Sequence, residues 1–281
     1  MSYQEQYSYD YQDYYQVYDT RAPTGIWYLD QLLQGGFRKG EIYLVAGEAG
    51  QGKTIFSLQF LKTGAEMYDE PGLYITIDEP SEDVKRGVRE SLGWDLDTLE
   101  SQNKLIFVDL RTHFRTYAKE EKVTADPRDI AKIILEYVKK FGVKRLVIDP
   151  IAPLIITSHT DVLWVREYMR ELVFQVRRIK DITTLMTSEI PTGENKISRF
   201  GVEEYLASGV IKLELMEYRG FVFRVMFLRK MRWTAVRPQK LVFEIYPHYG
   251  IYVLDRLENF MKQVDVWYAA LGQQPQTPPA T

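Results

Sequence analysis

Three observations predict an α/β fold with a mostly parallel central sheet flanked by helices. Between residues 41 and 187, short apolar strand patterns alternate with helical ones. Gly47-Glu48-Ala49-Gly50-Gln51-Gly52-Lys53-Thr54 fits G-x-x-x-x-G-K-[ST] and falls between a predicted strand and a predicted helix. Beyond residue 209 the pattern changes to paired strand-like runs, which predicts a C-terminal antiparallel β-hairpin extension.

The strands are expected at Ile42–Ala46, Gly72–Ile77, Leu105–Asp109, Arg145–Asp149 and Thr183–Thr187. Each is short and apolar, as strands covered on both faces are. Helices are expected at about Gly25–Leu33, Thr54–Met67, Glu82–Leu92, Asp129–Phe141 and Leu163–Lys180. The second carries Ile55, Leu58, Leu61 and Ala65 at helical spacing, and Gly64 weakens it slightly. Val210–Met216 and Val222–Leu228, joined by Glu217-Tyr218-Arg219-Gly220, read as one hairpin. Leu241–Ile245 and Ile251–Leu254 around Pro247-His248-Tyr249-Gly250 read as another, so a meander should close one edge of the sheet. A final amphipathic helix with Leu257, Phe260, Met261, Val264 and Tyr268 should pack against the body.

The 281 residues suit one large α/β domain with extensions. Residues 1–20 form a Tyr/Gln-rich tail without a core-forming pattern, expected to be disordered; the domain spans 21–255, a helix 256–271, and a second disordered tail 272–281. The alternative for the first tail is an interaction segment for a protein partner, or a set of tyrosine phosphorylation sites. Absence of cysteine excludes disulfides and thiolate metal sites, and His113, His159 and His248 show no ligand spacing. No apolar run is long enough to span a bilayer and no signal-peptide pattern opens the chain, so no membrane role and a cytoplasmic location are expected. The net charge is −3; Glu5, Asp10, Asp13 and Asp19 lie in the first tail, leaving the remainder at about +1. Such a body lacks the charge of a strong non-specific nucleic-acid binder.

Glycine-rich curvature turns successive N–H groups toward phosphate oxygens, and the following helix adds its positive dipole end. Gly47, Glu48, Ala49, Gly50, Gln51, Gly52, Lys53 and Thr54 are therefore candidate nucleotide-binding residues, with Lys53 directed at the β/γ-phosphates and Thr54 at Mg²⁺. Asp149, at the end of an apolar strand, is the candidate second Mg²⁺ ligand. Asp78 and Glu79 end another strand and are candidates for orienting or deprotonating a water; the alternative is that they cap the helix starting near Ser81.

Further motifs carry a family resemblance. They are Thr24-Gly25-Ile26 with Leu29-Asp30 and Gly35-Gly36, Ser57–Leu61, Glu70–Ile75, Gly93-Trp94-Asp95, Leu185–Glu189, Ser198–Glu204, Gly209-Val210-Ile211 and Lys230-Met231-Arg232. Over roughly residues 20–255 the chain resembles a KaiC-like ATPase domain of the RecA superfamily, in a single-domain form. The resemblance implies a RecA-like P-loop fold, ATP with Mg²⁺, and head-to-tail self-assembly, commonly a hexameric ring, with ATP between neighbours. It also implies that Lys230 and Arg232 reach the phosphates bound by the adjacent subunit, a charge clamp supplied in trans. Two departures are visible: Asp78-Glu79-Pro80 stands where the family commonly carries two glutamates, and there is one P-loop, not two in tandem. Slow hydrolysis driving a regulatory or assembly switch is the leading expectation. The alternatives are a DNA-binding accessory ATPase using the loop Glu189–Tyr205 with Lys196 and Arg199, and an ATP-bound scaffold with negligible hydrolysis. Ser198 is a further, weaker candidate for phosphorylation.

Overall fold

The structure is a computed structural model that describes residues 20–110, 126–154, 162–194 and 196–272. The expected first tail, apart from Thr20, and the second tail beyond Gly272 lie outside these residues, as do His113 and His159.

Two elements precede the P-loop strand: β1 (Arg21–Ala22) pairs antiparallel with β2 (Phe37–Arg38), around helix α1 (Trp27–Leu32). Asp30 folds this segment back on itself, accepting from the Thr24 amide and hydroxyl at 2.7 Å each and from the Gly25 amide at 3.0 Å. These bonds hold Thr24 and Gly25 outside the helix, which starts two residues later than the sequence pattern suggests. Burial raises the Asp30 carboxyl to about 6, against the opposing pull of the Thr24 and Gly25 donors and of Arg145.

The main sheet has nine strands. They are β3 (Ile42–Gly47), β4 (Gly72–Thr76), β5 (Leu105–Asp109), β6 (Arg145–Asp149), β7 (Thr183–Glu189), β8 (Gly209–Tyr218), β9 (Phe221–Met231), β10 (Gln239–Tyr246) and β11 (Gly250–Arg256). Their order is β11-β10-β9-β8-β3-β7-β6-β4-β5. Strands β3, β7, β6, β4 and β5 are parallel, and β8 joins β3 in parallel before the chain turns into the antiparallel meander β8-β9-β10-β11. The expected α/β architecture and its hairpin extension are thus observed. Arg219 and Gly220, both at positive φ, make the tight turn between β8 and β9.

The helices are α2 (Lys53–Met67), α3 (Ser81–Leu92), α4 (Leu96–Ser101), α5 (Pro127–Phe141), α6 (Val162–Arg177), α7 (Glu203–Leu206) and α8 (Leu257–Gly272). One core unites α1, α2 and α3 with one sheet face through Leu29, Phe56, Phe60, Tyr74 and Val88. A second packs α5 and α6 on the other face through Ile130, Ile134, Met169 and Leu172 against Leu44, Ile75 and Ile148. Leu257 and Phe260 of α8 pack against Phe223, Val225 and Val242, as their spacing predicts.

Arg145, at the start of β6, is wholly buried. Its guanidinium donates to Glu70 at 2.7 Å, to the Pro23 carbonyl at 2.6 Å and to the Phe60 carbonyl at 2.7 Å. Gly64 stands where a Cβ would lie 2.3 Å from the Arg145 Nε. The glycine that weakens α2 as a helix is the one that admits this buried cation.

Candidate functional site

Strands β3, β4, β6 and β7 end along one edge of the sheet, the carboxyl edge, and the register sets Gly47 beside Glu189 and Thr76 beside Asp149. The loop following β3 curls back at Gly50 and at Gly52, whose φ values of 76° and 99° are left-handed. Gly52 occupies the N-cap of α2, and its carbonyl accepts from the Phe56 amide at 2.9 Å. The Gln51 side chain, buried inside the loop, accepts from the Glu48 amide at 2.8 Å and braces the curl.

Lys53 lies along the loop and donates to the Glu48 carbonyl at 2.7 Å. Burial lowers its pKa, opposed by the nearby carboxylates of Glu189, Asp149 and Glu48. Asp149 is 6% exposed and takes three hydroxyl donors. Thr54 (2.8 Å) and Tyr74 (2.6 Å) reach its Oδ2, and Thr187 reaches its Oδ1. Burial, followed by the charge of Asp149, raises the Tyr74 phenol well above its usual value and keeps it a donor. The paired hydroxyl and carboxylate of Thr54 and Asp149 at the mouth of the loop form an all-oxygen donor set of the kind Mg²⁺ prefers. A groove of about 510 Å³ opens beside the loop, lined by Gly52, Lys53, Thr54, Ser91, Arg224 and Ile245. Its size suits a nucleoside.

Asp78 and Glu79 are exposed just past the end of β4, on the same edge. Pro80, and neither acid, occupies the N-cap of α3. The Thr76 hydroxyl donates to the Glu79 carbonyl and fixes the turn that carries both acids.

Lys230 and Arg232 lie elsewhere. Lys230 pairs with Val210 and Met231 with Gly209, which in turn stands beside Tyr43 near the start of β3. Met231 is therefore level with a point about 13 Å down the strand from Gly47, taking ~3.3 Å per residue, and two strands across. The Lys230 ammonium donates to the carbonyls of Glu204 (2.8 Å) and Ala207 (2.7 Å), and an Arg232 guanidinium nitrogen lies 3.5 Å from the Tyr205 carbonyl. Burial lowers the Lys230 pKa, and Arg232 and Arg177 lower it further.

Of the sequence candidates, the structure gathers the loop, Asp78, Glu79 and Asp149 at one edge and sets Lys230 and Arg232 toward the other. Sequence reasoning missed Tyr74, Thr187 and Glu189. A tyrosine within an otherwise apolar strand and polar residues closing another are the available signals. Ser198 is wholly buried and its hydroxyl donates to Glu203 at 2.7 Å and also contacts Glu204. A phosphate there would face two carboxylates, so this candidate is set aside. In the same loop Lys196 pairs with Glu194.

A family model described as "ATPase: KaiC" matches residues 22–258. The chain belongs to the KaiC ATPase family. A UPF0273 protein of Thermotoga maritima is 34% identical over 233 residues, covering 80% of this chain and 92% of that one. The circadian clock oscillator protein KaiC of Prochlorococcus marinus subsp. pastoris is 35% identical over 220 residues, covering 76% of this chain and 41% of its own length. The chain thus spans less than half of that clock protein. The crystal structure of a KaiC-like protein from Pyrococcus horikoshii superposes with a TM-score of 0.70 at 36% identity, covering 83% of this chain and 98% of that one. Membership of the KaiC family places the mostly parallel sheet within the RecA-like superfamily. It also agrees with nucleotide binding. Among the described residues no helix is long and apolar enough to cross a membrane.

Proposed function

We propose that this protein is a slow ATPase that assembles head to tail, closing each active site with Lys230 and Arg232 of a neighbouring copy. ATP lies in the groove beside Gly52 and Ile245 with its phosphates on the loop 47–54. Lys53 exchanges the Glu48 carbonyl for phosphate oxygens, while Thr54 and Asp149 hold Mg²⁺, positioned by Tyr74 and Thr187. The metal, when bound, neutralises charge on the phosphates. Asp78 or Glu79 orients the attacking water and accepts its proton. The conformational response to hydrolysis serves as a switch for assembly or partner binding.

The single observation that carries this reading is the separation of the two halves. Lys230 donates to its own chain's carbonyls toward the edge opposite the loop, which supports completion of each site by a neighbouring copy. Two of the three donors of the ammonium are engaged there, which leaves one for a neighbour's phosphate. A second reading, an ATP-bound scaffold with negligible turnover, draws on Asp78, whose carboxyl is one methylene shorter than glutamate. Recovery of intact ATP after long incubation with the protein would favour the scaffold.

Mixing two inactive variants tests the shared site. Lys53→Ala retains the cations, and Arg232→Ala retains the loop. Mixed oligomers are expected to regain a fraction of wild-type phosphate release, because some interfaces join an intact loop to an intact Arg232. No recovery in oligomers verified to contain both chains, or full activity in an isolated single subunit, would overturn the arrangement.

A further inference from the structure

Helix α7 is only four residues long, yet four consecutive carbonyls from residue 204 onward are bound by cations. Lys230 takes Glu204 and Ala207, Arg232 approaches Tyr205, and Arg177 donates to Leu206 at 3.2 Å. The C-terminal end of a helical turn concentrates partial negative charge, so this one collects three side chains that would otherwise repel. What holds the turn itself is Glu203. Its side chain is wholly buried and forms no ion pair among the described residues. Its carboxylate accepts from Ser188 (3.0 Å), Ser198 (2.7 Å), and the amides of Phe200 (3.3 Å) and Val202 (3.1 Å). Ser188 belongs to β7, level with Ala46 and next to Glu189. Glu203 therefore ties the turn that orients the cations to a strand bordering the chain's own phosphate loop.

We infer that Glu203 is a positioning residue for hydrolysis at the neighbouring subunit's nucleotide. By fixing α7 it sets where Lys230 and Arg232 present their remaining donors. This inference rests on the shared-site reading and adds to it the residue that organises the half supplied in trans. A buried carboxylate surrounded by four donors suits this task, because substitution by an amide leaves donors facing a donor while keeping the shape.

The test is Glu203→Gln in the full chain, measured alone and in mixtures, with Lys53→Ala plus Arg232→Ala as the reference mixture. Alone, Glu203→Gln is expected to lose tenfold or more in kcat while its KM for ATP changes by less than about threefold. Mixed with Lys53→Ala, it should regain activity, since an intact α7 then faces its intact loop; mixed with Arg232→Ala, it should not. Unchanged activity of Glu203→Gln, rescue by both partners, or rescue by neither while the reference mixture recovers, overturns the inference and leaves the shared site standing. Failure of the reference mixture itself overturns the shared site instead. If Glu203→Gln does not fold to the wild-type circular dichroism spectrum and oligomer size, Ser198→Ala, which removes one donor to the carboxylate, is read by the same pattern of rescue.

Discussion

The two edges of the central sheet secure their functional groups by opposite means. At the carboxyl edge an anion is held by side chains: the three hydroxyls of Thr54, Tyr74 and Thr187 converge on Asp149. Toward the amino edge cations are held by main chain, the carbonyls of residues 204–207 receiving Lys230, Arg232 and Arg177. The first edge gathers the acids Glu48, Asp78, Glu79, Asp149 and Glu189 about Lys53, and the second gathers Lys230, Arg232 and Arg177, with Glu41 3.8 Å from Arg177. In the head-to-tail arrangement proposed above, the bases at the second edge of one copy would face the acids around the loop of the next.

Disabling the first edge directly should cost the most activity. Lys53→Ala and Asp149→Ala are each expected to reduce phosphate release by about 10³-fold, roughly 4 kcal/mol of barrier. Asp149→Ala should also abolish the response to added Mg²⁺, measured by titrating the metal at saturating ATP. Turnover within threefold of wild type in either variant would remove hydrolysis from this edge. Arg232→Ala attacks the second edge and is expected to cost about 10²-fold or more in kcat, the effect of losing one preorganised donor to the charge that develops in the transition state. Its distinguishing result is recovery on mixing, because the two edges fail independently.

The asymmetry was only half legible in the sequence. Gly47–Thr54 and the strand-end acids were readable because each depends on neighbours within a few residues, and the five parallel strands announced themselves as apolar runs. The contacts that set Asp149 were not readable. Tyr74 and Thr187 lie 75 and 38 residues from it in sequence and meet it only because β6 is flanked by β4 and β7. Periodicity does not report strand order. Helix α7 was missed because four residues carry no helical period, and α4 because its signal is a single cap, Asp95 accepting from the Thr98 amide. The positions of Lys230 and Arg232 followed from the sequence as a hairpin end, but their separation from the loop required the register of β8 against β3.

A finer probe asks how far the hydroxyl frame of the first edge matters. Tyr74→Phe removes the donor at 2.6 Å from Asp149 and leaves those of Thr54 and Thr187. The carboxylate stays bonded but gains freedom, so a three- to tenfold rise in the Mg²⁺ concentration for half-maximal activity is expected, on the order of 1 kcal/mol. The maximal rate should change little. Mixing with Lys53→Ala, whose own loops are silent and whose Tyr74 is intact, is expected to leave the metal requirement raised at the Tyr74→Phe loops. A normalised requirement there would mean that the second edge, not the first, sets metal affinity.

The least effect on turnover is expected from Asp30, which belongs to neither edge and supports both through the packing of α1. Its carboxyl is raised to about 6 by burial, so the folded chain binds that proton more tightly than the unfolded chain does. The contribution is fully present below about pH 3.8 and disappears as pH rises through 6. Each tenfold gain in proton affinity is worth ~1.4 kcal/mol, so the bound proton stabilises the fold by on the order of 2–3 kcal/mol at the acid end of this window. Urea unfolding at a series of pH values should show wild type losing stability relative to Asp30→Asn between about pH 4 and 6.5. A constant difference between the two proteins would mean that Asp30 is ionised in the fold, held so by Thr24, Gly25 and Arg145. Because the residue serves the shared frame, any loss of turnover in Asp30→Asn should follow its unfolded fraction, and neither Lys53→Ala nor Arg232→Ala should rescue it selectively. Selective rescue by one of them would assign Asp30 to an edge and dissolve the distinction between frame and site.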